Sequence, residues 1–334
     1  MKLIALLFLG LFWEGISQAQ NPQWEEFNTP VKASLRGLSP VSDQICWASG
    51  SGGTWLKTTN GGESWEYGVI AGLDSVDFRS IHAFDENTAV VASAGQPAVI
   101  YRTTDGGKSW VKVHQEGPEA FFDGISFWGN KKGYILGDPV NGKWMILETK
   151  NGGKTWKSLG NLPDAEVGEA AFAASSSSLI ARKNELIFGT GGSVSKLHFG
   201  YLGEEQFWSK TKTPMLQGEP SQGIFAISMT DQGIFFVGGD YQKPESMDRN
   251  AVLYQGESWK IPMNLPLGYR SGVAYFPKQK ITIAVGPSGS DISYDYGMNW
   301  QNFSPTGYHA VKVSKDNKAI WGSGSEGRVG ILNH

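Results

Sequence analysis

Cysteine is almost missing from this chain. One residue in 334 is a cysteine, Cys46, so no internal disulfide can form and the fold has to be held by packing. Its neighbours, Gln44-Ile45-Cys46-Trp47-Ala48, predict a small buried residue in a strand. Paired cysteines, an H-E-x-x-H pattern and an EF-hand loop are missing too, and the five histidines are scattered, so neither a metal site nor a cofactor is expected. Charge is sparse at 18% and nearly balanced, with a net value of -3. No basic field exists to attract nucleic acid or an anionic membrane. The longest apolar run, Leu3 to Trp13, is too short to span a bilayer as a helix, so no membrane insertion is expected.

That run follows Met1-Lys2 and precedes Ser17-Gln18-Ala19, with small residues at the first and third positions. It reads as a secretory signal peptide, residues 1–19, and places the mature chain in the periplasm or outside the cell. The remainder is rich in glycine and tryptophan, with 44 and 13 residues, and lacks the Ala/Glu/Lys/Leu excess of helical proteins.

A short turn recurs. Thr103-Thr104-Asp105-Gly106-Gly107-Lys108-Ser109-Trp110 has near copies at Thr58 to Trp65 and Thr149 to Trp156, and a looser one at Ser293 to Trp300. Trp24, Trp65, Trp110, Trp156, Trp208, Trp259 and Trp300 are spaced by 41, 45, 46, 52, 51 and 41 residues. A fixed turn at near-constant spacing marks a repeat architecture. Between successive tryptophans lie three short apolar runs bounded by turn residues, for example Phe78 to Phe84, Thr88 to Ser93 and Ala98 to Thr103. With the strand that begins at the tryptophan, each unit has four strands, the pattern of an all-β propeller. The last unit stops after three runs, and Trp24-Glu25-Glu26-Phe27 is an outer strand with no blade before it. Joining the two closes a ring of seven blades, so residues 20–334 are expected to form one seven-bladed propeller. In the turn, the Asp or Asn caps backbone N–H groups, the glycines supply positive φ and the tryptophan buries a large flat surface between blades. These residues are scaffold.

The turn pattern Ser/Thr-x-Asp-x-Gly-x-Thr/Ser-Trp is that of the Asp-box, or bacterial neuraminidase repeat. Ser34-Leu35-Arg36-Gly37-Leu38, Leu136-Gly137-Asp138-Pro139, Glu169 to Ser175, Gly238-Gly239-Asp240-Tyr241 and Tyr269 to Tyr275 resemble the photosystem II stability/assembly factor-like propellers, whose bacterial relatives are often called oxidoreductases. The resemblance covers the mature chain. It implies a binding or assembly-factor role toward a protein segment.

Chemistry is expected at the channel mouth opposite the Asp-box turns. Aligning the innermost strands by their distance from the next glycine turn places Arg36, Arg79, Asp123, Glu169, Gln222, Arg270 and His309 at the strand starts of blades one to seven. Asp138 and Asp240 fall in turns at the same mouth. One reading is a ligand site, with the arginines gripping an anionic group by bidentate hydrogen bonds. The other is a solvated ring in which Arg36, Arg79 and Arg270 pair with Asp123 and Glu169. The partner is expected to be a protein segment or an anionic or glycan small ligand, bound by a monomer.

The rival function is a glycan-active hydrolase. Sialidases hold a carboxylate with three arginines beside a Tyr, a Glu and an Asp, and the resemblance would assign Arg36, Arg79, Arg270, Tyr269 or Tyr308, Glu169 and Asp123 to those roles. Sialidases have six blades, however, and a different context for the first arginine. A broader glycosidase needs only two carboxylates across the scissile bond, here Asp123 with Glu169, or Asp138 with Asp240. Xyloglucan-cleaving enzymes with this turn clasp the chain between two propellers, and one is encoded here. Tyr241, Tyr269 and Tyr308 are candidate stacking residues. Gly322-Ser323-Gly324-Ser325-Glu326-Gly327 matches G-x-G-x-x-G, but a strand follows it rather than a helix, so it is no nucleotide site and does not support an oxidoreductase. Ser175 to Ser178 reads as a surface loop.

Overall fold

A computed structural model of the chain describes residues 21–333. The expected signal peptide, residues 1–19, lies outside them. The described residues form seven antiparallel sheets around a central channel. Six have four strands, and each is a meander whose inner strand lines the channel. The inner strands are Leu35–Pro40, Ser80–Ala83, Phe122–Trp128, Leu179–Ala181, Gln222–Thr230, Gly272–Phe276 and Ala310–Val313. The ring closes as the sequence implies. The first strand, Gln23–Phe27, pairs antiparallel with the last, Val329–Asn333, with Trp24 opposite Leu332. Closure leaves no long open sheet edge.

The Asp-box turns show how the repeat is joined. Thr103 Oγ1 accepts from the Gly107 N–H at 3.0 Å and donates to Asp105 Oδ1 at 2.8 Å. Asp105 in turn accepts from the Ser109 N–H at 2.9 Å and its hydroxyl at 2.5 Å. Asn60 and Asn151 repeat this pattern, and so does Asp295 with Asn299. Gly107 has φ 92°, and a Cβ there would meet the Trp55 ring of the preceding blade at 2.5 Å. Gly62 stands the same way against Phe27, and Gly297 against Phe235. The second glycine is therefore needed twice, for its backbone angle and for the ring it admits. Trp110 follows onto the same neighbour, 6.1 Å from Trp55 and 6.3 Å from Trp47. Apolar clusters of this kind run between blades around the ring. Cys46 is one of their members, fully buried and unpaired.

Blade four departs from the repeat. Its inner strand is Leu179–Ala181, so Glu169 does not start it. Glu169–Ala170 instead pairs with Gly191–Gly192, and both add to the sheet of blade five, giving it six strands. The chain between Ala170 and Leu179 crosses the channel. Ser175 to Ser178 is buried, which corrects the expectation of a surface loop.

Candidate functional site

At the mouth opposite the Asp-box turns lies a cavity of about 510 Å³. Five of the residues aligned from the sequence line it: Arg36, Arg79, Asp123, Asp138 and His309. Register explains how two of them reach it. Leu35 and Gly37 face Gly50 and Ser49 in succession, which leaves Arg36 as the extra residue of a bulge. Asp123 is extra in the same way in blade three, and Phe225 in blade five. A bulge re-aims the side chain it frees, here into the mouth. The blade-five counterpart of Arg36 is thus Phe225 and not Gln222, which sits three residues earlier.

The crossing segment forms the floor. Phe172 stacks on Phe225 with ring centroids 3.9 Å apart, and Tyr269 meets Phe225 in a T-shaped contact at 4.8 Å. The Ala174 carbonyl accepts from Arg36 Nη1 at 3.1 Å across the ring. Beyond it, the Ser177 carbonyl accepts from the Ile227 N–H at 2.8 Å, and Ser176 Oγ accepts from the Ile125 N–H at 3.4 Å. The segment is tied to blades one, three and five, and it blocks the channel.

Charge in the cavity is lopsided. Arg79 donates its Nε to Asp77 at 2.7 Å, and its terminal nitrogens have no protein partner among the described residues. Burial and the neighbouring Arg79 make the charged form of Arg36 harder to hold. Burial, with Arg36, Arg79 and Arg328 nearby, brings His309 down to about 3, so it is neutral at ordinary pH. Its Nε2 lies 3.1 Å from the Ser34 hydroxyl. Asp123 is fully buried, and neither carboxyl oxygen has a hydrogen-bond partner among the described residues. Burial and then the nearby Asp138 push it well above the usual carboxylate range, with Arg79 opposing. Asp138 is raised by burial as well, although it accepts from the Ala171 N–H at 3.0 Å. The acids are thus driven toward the neutral form, while the Arg36 guanidinium and the terminal nitrogens of Arg79 face the same space.

The other four aligned residues lie outside the cavity lining. Glu169 is buried and bonded to His198 Nε2 at 2.8 Å, Thr190 Oγ1 at 2.7 Å and the Glu166 N–H at 3.0 Å. Burial would raise its pKa, but these bonds outweigh it and hold the carboxylate below its ordinary value. Arg270 is completely buried and forms an ion pair with Asp291 at 2.5 Å, with further bonds to the Tyr269 carbonyl and Ser288. Gln222 donates to Asp240 at 3.3 Å. Asp240 also accepts from the Gln242 N–H at 3.0 Å, and its bonds outweigh burial and hold it low. The arginines do not neutralise Asp123 or Glu169: Arg79 takes Asp77 and Arg270 takes Asp291. Of the expected aromatic platforms, Tyr241 is exposed, but Tyr269 and Tyr308 are buried. Phe172 and Phe225 are the site residues that reading the sequence missed. Phe225-Ala226 carries the same large-then-small signal as Arg36-Gly37, but Gln222-Gly223 carries it too, and polarity favoured the wrong pair.

Fold and mouth can now be set beside known proteins. The sequence profile of the family described as photosynthesis system II assembly factor YCF48 matches residues 16–118. The chain resembles the photosystem II assembly factor propellers. A structure described as YCF48 bound to D1 peptide superimposes with a TM-score of 0.63 at 18% identity, covering 92% of this chain and 95% of that one. YCF48 from Cyanidioschyzon merolae gives 0.60 at 18% identity, covering 93% and 98%. The WD40 repeats of RRP9 give 0.65 at 10% identity, covering 94% and 98%. At such identities these likenesses carry the fold alone. No curated protein matches the sequence.

Proposed function

We propose that this chain is an exported, non-catalytic binding propeller of the assembly- or stability-factor kind. It holds a segment of another protein by an anionic group at the arginine-bearing mouth. One observation carries the reading: Arg36 and Arg79 converge on a cavity whose own carboxyls, Asp123 and Asp138, are driven toward neutrality by burial. Arg79 spends only its Nε on Asp77, so its terminal nitrogens and the Arg36 guanidinium remain to grip a carboxylate in a fork. Tyr241, exposed at the rim, and the Phe172–Phe225 stack offer an apolar bed for the residues on either side. The YCF48 structure bound to D1 peptide supports a protein segment as the class of partner. The apolar run Leu3 to Trp13 supports export.

The test is a peptide array probed with the purified mature chain. Each Asp- or Glu-bearing peptide is paired with its Asn or Gln counterpart. Carboxylate-bearing members should bind preferentially, and a joint Arg36→Ala, Arg79→Ala change should weaken them by about tenfold or more. Equal binding by the variant would remove the arginine mouth from the reading.

A second reading, a glycan hydrolase, has one observation in its favour. Asp123 and Asp138 share the cavity, and a protonated Asp123 is what a general acid requires. Absence of turnover across a glycan panel, with Asp123→Asn as the control, would remove it.

A further inference from the structure

The segment that floors the arginine mouth is also the roof of a second cavity. This space, about 280 Å³, opens toward the Asp-box face and is lined by the far ends of the inner strands. Phe172 to Ala174 face the first cavity and Ser176 and Ser177 the second, so the two do not share a wall on the same side of the segment.

The groups facing the second cavity are almost all donors. Lys312, on the inner strand Ala310–Val313, is half-buried and has no hydrogen-bond or ion-pair partner among the described residues. No Asp or Glu among the described residues lines the space. Tyr275, at its edge, spends its hydroxyl proton on Asp231 at 2.5 Å. The Ser126 hydroxyl accepts from the Ala181 N–H at 2.9 Å, and Ser176 accepts from the Ile125 N–H, so each keeps its own proton to donate elsewhere. His82 lies 4.4 Å from the Phe127 ring, and its Nε2 faces the Lys315 ammonium at 3.2 Å. That contact makes Nε2 the acceptor and leaves the proton on Nδ1. Burial, with Lys315 and Lys312 beside it, keeps the ring neutral.

We propose that this second cavity binds a small oxyanion, a carboxylate or phosphate, with Lys312 as its charge partner and the Ser126 and Ser176 hydroxyls as further donors. An uncompensated ammonium in a walled space is costly, and an anion removes the cost. Burial and the neighbouring Lys315 bring Lys312 down to about 8, the direction that such a cost produces. The site stands apart from the arginine mouth and does not depend on the function proposed for it.

The experiment is lysine footprinting of the wild-type chain at low ionic strength, with inorganic phosphate in one arm and succinate in the other. Acylation of Lys312 is followed by mass spectrometry. A saturating anion should slow it about fivefold or more, while the exposed Lys108 is unaffected. The arm that protects names the oxyanion. Calorimetric titration then compares Lys312→Met and Arg79→Met. Binding at this cavity should persist in Arg79→Met, whatever that change does at the arginine mouth, and Lys312→Met should weaken it about tenfold. No protection in either arm would overturn the proposal. So would binding lost in Arg79→Met but kept in Lys312→Met, which would put the anion at the other mouth. The footprint uses unmodified protein, so misfolding of a variant cannot mask the result.

Discussion

Blade two and blade four follow the same four-strand plan and differ in what the chain does before the inner strand. In blade two, Phe78 to Ser80 enters the strand directly, and the blade ends in an intact Asp-box turn at Asp105. Blade four ends in the eroded copy Tyr201 to Trp208. It gives Glu169–Ala170 to the sheet of blade five and sends Phe172 to Ser178 across the channel. Regular blades are fixed by contacts with the blade beside them. The irregular one is fixed by contacts across the ring, and it divides the channel into two cavities with different linings. In a repeat fold, departure from the repeat marks where the shape of a site is decided.

The largest effect should come from breaking a regular joint. Gly107→Ala puts a Cβ into the Trp55 ring at a backbone angle that alanine disfavours. A loss of about 2–4 kcal/mol is expected in urea unfolding. A loss below half of that would mean that Trp55 can yield, and that the regular joint is softer than the irregular one.

Next comes the crossing segment. Phe172→Ala removes the stack on Phe225 from a half-buried position and should cost about 1–3 kcal/mol, less than a fully buried phenylalanine. It should also raise proteolysis between Ala170 and Leu179 without affecting blade two. Uniform proteolysis along the chain would show that the segment is not a separate unit.

Asp123 comes third. Its folded pKa is raised, so the folded state holds this proton more tightly than the unfolded one. The stability it contributes is present below about pH 4 and is lost as pH rises through the folded value. Asp123→Asn should therefore raise the melting temperature at pH 7 and flatten that decline. A lower melting temperature at pH 7 would mean that the carboxylate has a partner that the geometry does not reveal.

The smallest effect is expected in the turn itself. Asp105 is held down to about 2 by the bonds from Ser109 and Thr103. Its contribution is present above the ordinary aspartate range and is lost as pH falls toward 2. Asn60 and Asn151 make the equivalent bonds in their own turns, so Asp105→Asn should leave the melting temperature at pH 7 nearly unchanged and alter only the acid limb. A large loss at pH 7 would break the equivalence of the repeats.

Much of this was legible in the chain. The tryptophan spacing gave the blades, and the truncated last unit gave the closing strand. Arg36, Arg79, Asp123 and His309 reach the cavity because each stands one residue before a small one where an inner strand begins; Asp138, expected in a turn, lies instead within the adjacent strand Lys132–Val140, at its mouth end. Glu169 and Arg270 satisfied the same pattern and do not line the cavity, since His198 and Asp291 lie close enough to take them. Those partners are 29 and 21 residues away, in strands whose side-chain direction a one-residue shift would reverse. Ser175 to Ser178 looked like a loop because serine runs on surfaces look the same. Here the hydroxyls and carbonyls are buried against neighbouring blades.

The sequence by itself determined the repeat, the number of blades and the way the ring closes. Each of these rests on local turn chemistry or on apolar runs that need a neighbour on either side. Only the tertiary structure decided what fills the channel. That depends on bonds such as Arg36 to the Ala174 carbonyl, between residues 138 apart in the chain and on facing sides of the ring. No local pattern encodes such a contact, because it forms only once the ring has closed and brought the two sides within reach.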